Sequence, residues 1–295
     1  MHTLLFTFPV LLCTACDAQR HEPPAPTAQA CRTIDAGTAL PGQVYETSGL
    51  AISSDATVLW THNDRGHEPF LYAVAANGAL RARVAVTGTA PVDWEDIEAA
   101  PCASGRCLYI ADIGDNDTAR EHITIYEVTE PALGDQRATA RAMSARYPDG
   151  AHNAEAMFML PGGDAYIVTK GNDGPTALYR FPAGMRARRD AVLERVRGPM
   201  AQARQRRDYV TGAAATPDGR WVAIRTYGAL YIHAAEDLLS GTGGEPITVD
   251  LTPLGEPQGE GVAIADDGTV WLSSEAEGGG GGAPRLARLS CTLPD

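Results

Sequence analysis

Residues 93–117 read Asp93-Trp-Glu-Asp-Ile-Glu-Ala-Ala-Pro-Cys-Ala-Ser-Gly-Arg-Cys-Leu-Tyr-Ile-Ala-Asp-Ile-Gly-Asp-Asn-Asp117. Two apolar runs, Ile97 to Ala100 and Cys107 to Ala111, flank a short turn held between two cysteines. Such a pair reads as a β-hairpin. Carboxylates gather at the start of the first run and at the end of the second, and in an antiparallel hairpin those points share one end. Glu95, Asp96, Asp112, Asp115 and Asp117 are therefore expected in one small region. Carboxylates crowded this way call for a cation, a retained proton or a donor-rich ligand. The alternative is a solvated acidic loop.

The pattern recurs along the chain. Glu46-Thr-Ser-Gly-Leu-Ala-Ile52 is followed by Val58-Leu-Trp-Thr-His-Asn-Asp64, and Glu155-Ala-Met-Phe-Met159 by Ala165-Tyr-Ile-Val-Thr-Lys170. Thr211-Gly-Ala-Ala-Ala215 precedes Trp221-Val-Ala-Ile-Arg225, and Glu260-Gly-Val-Ala-Ile264 precedes Val270-Trp-Leu-Ser-Ser-Glu275. Counted from the leading residue, the spacings are 49, 60, 56 and 49. A third run follows each pair, with Tyr at the same place in four of the five copies, and a weaker fourth run follows in most. Four short strands in a repeat of about 40–50 residues mark a β-propeller blade. The reading is an all-β propeller of four-stranded blades: five are counted, and the long segment 181–210 leaves room for a sixth.

Ring closure is legible too. The fifth copy lacks a fourth strand after Arg288, and Cys31-Arg-Thr-Ile-Asp35 is placed to supply it. A disulfide between Cys31 and Cys291 would lock that closure, and one between Cys102 and Cys107 would staple the quoted hairpin. Four cysteines remaining in an exported chain favour disulfides, whereas the spacing needed for a zinc site is missing.

The N-terminal run 3–15 is apolar and too short to span a membrane as a helix, so residues 1–15 read as a signal peptide. Thr14 and Ala15 before Cys16 resemble the bacterial lipobox, with Cys16 lipidated. Residues 16–30, rich in Pro, Ala and Gln, read as a tether, and 31–295 as the propeller. The expected location is the cell envelope, with the membrane reached by the lipid anchor alone and the protein a monomer. A net charge of −13 argues against nucleic acid. Segment 181–210 runs against this charge, with eight arginines and three acids. Helical periodicity is confined to 191–207.

The first strand of each blade lines the channel, so one mouth should collect Glu46, Glu95, Asp96, Glu155, Thr211 and Glu260. Second strands should bring Asn63, Asp64, Asp112, Asp115, Asn116, Lys170, Arg225 and Glu275 to the same mouth. The other mouth receives Asp-Gly and Gly-Gly turns, which are generic turn chemistry. Lys170 is the only lysine in the chain, which suggests a need for a compact, titratable ammonium there. Trp94 stands among the acids as a stacking surface for a ligand. Trp60, Trp221 and Trp271 read as inter-blade packing, and His62, His67 and His152 as structural or exposed histidines.

Glu260-Gly-Val-Ala with Asp267-Gly-Thr-Val-Trp-Leu-Ser-Ser-Glu275, and Glu155-Ala-Met, resemble phytase-like esterase propellers. Glu46 ahead of Ser48-Gly-Leu-Ala is similar to the gluconolactonase and strictosidine-synthase-type propellers. Asp93-Trp-Glu-Asp and Asp112-Ile-Gly-Asp-Asn resemble exported bacterial propellers, which implies no activity. In the gluconolactonase group a Glu on an inner strand, with Asn and Asp from other blades, holds a catalytic divalent cation. The resemblance implies that role for Glu46, Asn116 and Asp112, and six blades.

Two functions follow. One is binding of a small polar ligand with Ca²⁺, held by Glu46, Glu95, Asp96, Asp112, Asp115, Asn116 and Glu260. Asn63, Asp64, Trp94, Arg225 and Glu275 would contact the ligand, and Glu155 and Lys170 would act in hydrolysis of an ester, lactone or phosphoester. The other is a non-catalytic module binding an envelope protein.

Overall fold

The computed structural model describes residues 30–181, 184, 191–196, 203–276 and 282–294. The expected signal segment, Cys16 and the tether up to residue 29 lie outside them.

Inner strands here are rich in Ala and Gly because they converge on an axis. Ala154–Met159 and Val210–Ala215 are buried at every position. The first sheet contains β2 (Thr47–Ile52), β3 (Leu59–Asn63), β4 (Phe70–Val74) and β5 (Leu80–Thr87). The second contains β6 (Trp94–Cys102), β7 (Gly105–Asp112), β8 (Ile123–Thr129) and β9 (Arg137–Arg146). The third is β10 (Ala154–Met159), β11 (Ala165–Thr169), β12 (Leu178–Phe181) and the short β14 (Glu194–Arg195); β13 (Ala191–Val192) joins β9 instead. The fourth is β15 (Val210–Ala215), β16 (Trp221–Thr226), β17 (Ala229–Ala234) and β18 (Ile247–Asp250). The fifth is β19 (Gln258–Ile264), β20 (Thr269–Glu275), β21 (Arg285–Cys291) and, as its outer strand, β1 (Cys31–Ala39).

The innermost strands β2, β6, β10, β15 and β19 neighbour one another in a closed ring. This is an all-β propeller of five blades among the described residues, closed by the N-terminal strand as expected. The six blades implied by the resemblance are not found there. Cys31 faces Cys291 across the β1–β21 pairing and is bonded to it, and Cys102 is bonded to Cys107. Blades one and two are also joined at their outer edges, where β5 pairs parallel to β9.

Hydrophobic cores lie between blades, as expected for units that cannot bury both faces alone. Trp60, Leu71 and Val84 of the first blade pack with Leu108, Ile110 and Tyr126 of the second. Leu50, Leu59 and Tyr72 meet Ala263 and Leu286 of the fifth. Trp221 and Trp271 pack against the edges of such clusters.

The helical periodicity of 191–207 yields no α-helix in its described part. Sheet edges take its start as β13 and β14, and Arg206–Asp208 forms one 3-10 turn. Among the described residues the α-helix is α1 (Ala235–Ser240), and no helix there is long and apolar enough to cross a membrane.

Candidate functional site at the channel mouth

Each inner strand breaks register with its neighbour near its start, between Ser48 and Ala51, Trp94 and Asp96, Ala154 and Ala156, Val210 and Gly212, and Gly259 and Val262. A bulge bends the strand and re-aims the side chain at the irregularity. Five bulges at equivalent places turn five side chains to one mouth: Ser48, Glu95, Glu155, Thr211 and Glu260. All five are buried. Ser48 Oγ donates to the Glu95 carbonyl, and Thr211 Oγ1 to the Glu260 carbonyl, so the two hydroxyl positions tie adjacent blades.

This register corrects the reading of the first repeat. Ser48, not Glu46, is the equivalent of the other leading residues. Glu46 lies two positions earlier, pairs with His67 and leaves the ring. The residue after each second strand contributes as well, because Asp64, Lys170 and Tyr227 occupy matching places. Their amides bond back to Glu46, Asn153 and Tyr209 respectively.

The mouth is a cavity of about 320 Å³, with Asp64, Glu95, Glu155, Glu260 and Glu275 in its walls. Lys170, Arg65 and Arg206 supply the cations, and Asn116, Asn172, Tyr209, Tyr227 and Gln258 the neutral polar groups. A larger cavity of about 480 Å³ lies beside α1, against Ile224, Tyr231, His233 and Leu238. It gathers no comparable set of charges, so the chemistry resides at the mouth.

Burial drives the electrostatics. Desolvation, reinforced by Asp64, pushes Asp93 up to about 6. Desolvation first, then the charges of Asp64 and Asp93, hold Glu95 well above the carboxylate range. Glu260 is pushed up to about 7 and Glu275 to about 9, again chiefly by burial. Lys170 opposes the rise at Asp64, Glu95, Glu260 and Glu275 alike. It is ion-paired with Glu155. On the far side, Gln258 Nε2 donates to Glu260 Oε1 (2.8 Å) and Glu275 Oε2 (3.1 Å), and the Tyr227 hydroxyl donates to Glu260 (3.3 Å).

Asp64, Asp93 and Glu95 each offer an oxygen within 4.8 Å of the other two. Buried Asp93 Oδ1 has no hydrogen-bond partner among the described residues. Gly114 makes this convergence possible, since a Cβ there would sit 2.1 Å from Glu95 Oε1 and 2.5 Å from Asp93 Oδ2. Three hard oxygen donors with one buried oxygen unsatisfied fit a Ca²⁺-class cation.

Several expected ligands are engaged elsewhere. Asp96 does not face the mouth. It fills the axis where the equivalent positions are Gly49, Ala156, Gly212 and Gly261. Its Oδ2 accepts from the Met157 amide (2.8 Å) and the Ala213 amide (3.1 Å), which couples blades two, three and four. Asp112 binds Arg120 at 2.9 Å and accepts from the Val92 and Asp93 amides. Asp115 accepts from the Ala119 and Arg120 amides and so closes its own loop. Asn116 lines the cavity while its Oδ1 accepts from Asn153 Nδ2 (3.3 Å).

Among the expected ligand contacts, Asp64 and Glu275 are in the cavity and three are not. Trp94 is buried edge-to-face against His62, with ring centroids 5.5 Å apart, and offers no open face. Asn63 donates to the Gln43 carbonyl (2.9 Å). Arg225 is fully buried, pairs with Glu256 and donates to the Gly261 and Ser273 carbonyls at 2.8 and 2.9 Å, which locks blade four to blade five. Asp93, Ser48, Gln258, Tyr227, Arg65 and Arg206 were missed. Asp93 was visible in the opening stretch, directly before a bulge that only the pairing register reveals.

No family model matches the chain, nor does any curated protein. Solved structures do. A gluconolactonase from Xanthomonas campestris is similar over 89% of this chain and 90% of its own, at 10% identity and a TM-score of 0.50. A calcium-binding protein, regucalcin, from Agrobacterium tumefaciens covers 87% of this chain and 94% of its own, at 12% identity and a TM-score of 0.46. A carbohydrate-active enzyme of family AA12 from Trichoderma reesei, in a calcium structure, covers 83% and 80%, at 12% identity and 0.47. The structural neighbours of this chain are thus gluconolactonase- and regucalcin-like propellers, and at these identities the likeness is one of fold.

Proposed function

We propose that this chain is an exported, lipid-anchored propeller whose mouth binds Ca²⁺ and a small polar ligand, and that it hydrolyses an ester, lactone or phosphoester there. The observation that carries this reading is the convergence of Asp93 with Asp64 and Glu95, two residues of the cavity wall, with a buried Asp93 oxygen unsatisfied. These three residues would hold the cation, which when bound supplies Lewis-acid polarisation of a substrate oxygen. Glu260, pushed up to about 7, is suited to take a proton from water near neutral pH. Lys170 neutralises its share of the ring through Glu155 and keeps the remaining carboxylates close together.

Propellers host enzymes and binding modules alike, so the decision lies with an assay. Protein stripped with EDTA is titrated with Ca²⁺ by calorimetry. It is then offered simple lactones, 4-nitrophenyl acetate and bis(4-nitrophenyl) phosphate. Glu260→Gln should abolish turnover while retaining Ca²⁺ binding. Ca²⁺ binding without turnover of any of these would remove the hydrolase. No Ca²⁺ binding at all would leave a salt-bridged ring and a non-catalytic envelope interaction module.

A further inference from the structure

The mouth is layered. Its floor is the carboxylate set described above, and its rim carries two guanidinium groups from different blades. Arg65 lies two residues after β3 and is mostly exposed; its ion-pair partner is Asp93, 3.9 Å away, beyond hydrogen-bond reach. Arg206 comes from the 3-10 turn that leads into blade four. It spends one nitrogen on Gln258 Oε1 (3.1 Å) and lies over the Tyr227 ring, 4.3 Å from its centroid. Both side chains line the cavity, and the cation–π contact holds Arg206 in place.

A guanidinium carries five donors and no acceptor. Neither arginine uses more than one of them on a partner among the described residues. The floor is different, since Glu155, Glu260 and Glu275 already have donors in Lys170, Gln258 and Tyr227. What the rim lacks is acceptors, and the ligand must bring them. Planar, bidentate recognition of an oxyanion is what an arginine fork does best.

We infer that the ligand of this mouth is an oxyanion, a carboxylate- or phosphate-bearing small molecule, with its charged group between Arg65 and Arg206 and its uncharged end over the carboxylate floor. The inference names the ligand class of the site assigned above and rests on the mouth being that site. A consequence follows from the layering. An ionised floor repels an anion, and a divalent cation on Asp64, Asp93 and Glu95 offsets most of their charge. Cation and anion binding must therefore strengthen each other by the same factor.

The test uses phenyl phosphate, benzoate and neutral benzyl alcohol as probes, titrated calorimetrically into Ca²⁺-loaded protein. At least one anion should bind, and benzyl alcohol should bind at least about tenfold more weakly, the scale of one charge-assisted hydrogen bond. The stronger of the two anions identifies the oxyanion. Arg65→Ala and Arg206→Met should each weaken anion binding by about tenfold and leave the affinity for Ca²⁺ alone within about twofold. Equal binding of benzyl alcohol, failure of both anions, or arginine variants without effect would overturn the inference while Ca²⁺ binding stands. Arginine-dependent anion binding in protein that takes up no Ca²⁺ would support the oxyanion rim and overturn the cation site instead.

Discussion

The ammonium of Lys170 is ion-paired with Glu155 inside the mouth, with 14% and 7% of the two side chains exposed. They stand at equivalent ends of adjacent strands in one blade, so the pair forms without bridging a gap between blades. Lys170 also lowers the electrostatic cost at four further carboxylates around the ring. One cation thus keeps the ring together when no metal is present.

Lys170→Met should be strongly destabilising. Removing one partner of a buried pair leaves the other uncompensated, at a cost of about 3–5 kcal/mol. Urea denaturation in EDTA reads this directly. The double variant Lys170→Met with Glu155→Leu should recover most of the loss. Equal stability of the single variant and the parent would show that the pair contributes nothing to folding.

Gly114→Ala should weaken Ca²⁺ binding while leaving the fold in place. The added methyl group collides with Glu95 Oε1 and Asp93 Oδ2 and drives the two carboxylates apart. In the parent protein, EDTA should lower the Tm and Ca²⁺ restore it, by linkage of binding to the native state. The response should vanish in Asp93→Asn, shrink in Gly114→Ala and persist in Asp267→Asn. Asp267 sits in a turn at the opposite mouth, where it accepts from the Thr269 amide (2.9 Å).

Stability should fall with rising pH in the absence of metal. Asp93, Glu260 and Glu275 are raised to about 6, 7 and 9, so the native state holds protons that the unfolded chain has already released. The unfolded state then binds fewer protons, and the slope of unfolding free energy against pH is negative. This stability is fully present below about pH 4, the ordinary carboxylate range, and is lost as pH rises through the native values. In EDTA the Tm at about pH 8 should lie below that at about pH 5, and Ca²⁺ should recover more at the higher pH because it needs ionised ligands. A Tm that climbs between these points in EDTA contradicts the buried-acid account.

Cys31→Ser with Cys291→Ser should cost up to about 5 kcal/mol on the chain-entropy model, because the bond closes a loop of 260 residues. Cys102→Ser with Cys107→Ser, which opens a loop of only 5 residues, should cost about 2 kcal/mol. Denaturation midpoints of the two double variants give the ranking. The reverse order would mean that β1 closes the ring by pairing alone.

Blade number, strand order, ring closure and both disulfides were legible in the chain because they rest on local signals. Apolar runs of strand length, turn residues at fixed offsets and cysteines at the two ends each report on a few neighbouring residues. The ring of glutamates was legible in part: Glu95, Glu155 and Glu260 do share one mouth, but Glu46 does not. A bulge adds one residue to one strand and leaves no mark in the hydrophobic pattern, so aligning repeats by their first acid misplaced Glu46 by two positions. Asp96, Asp112, Asp115 and Arg225 had the right residue types for a ligand site. Asp96 and Arg225 find partners in other blades, such as the Ala213 amide and the Ser273 carbonyl, whereas Asp112 and Asp115 accept from amides of their own blade. Which acids face a cavity and which accept backbone amides is set by how the strands pair, the loops close and the blades pack, so only the tertiary structure decided it.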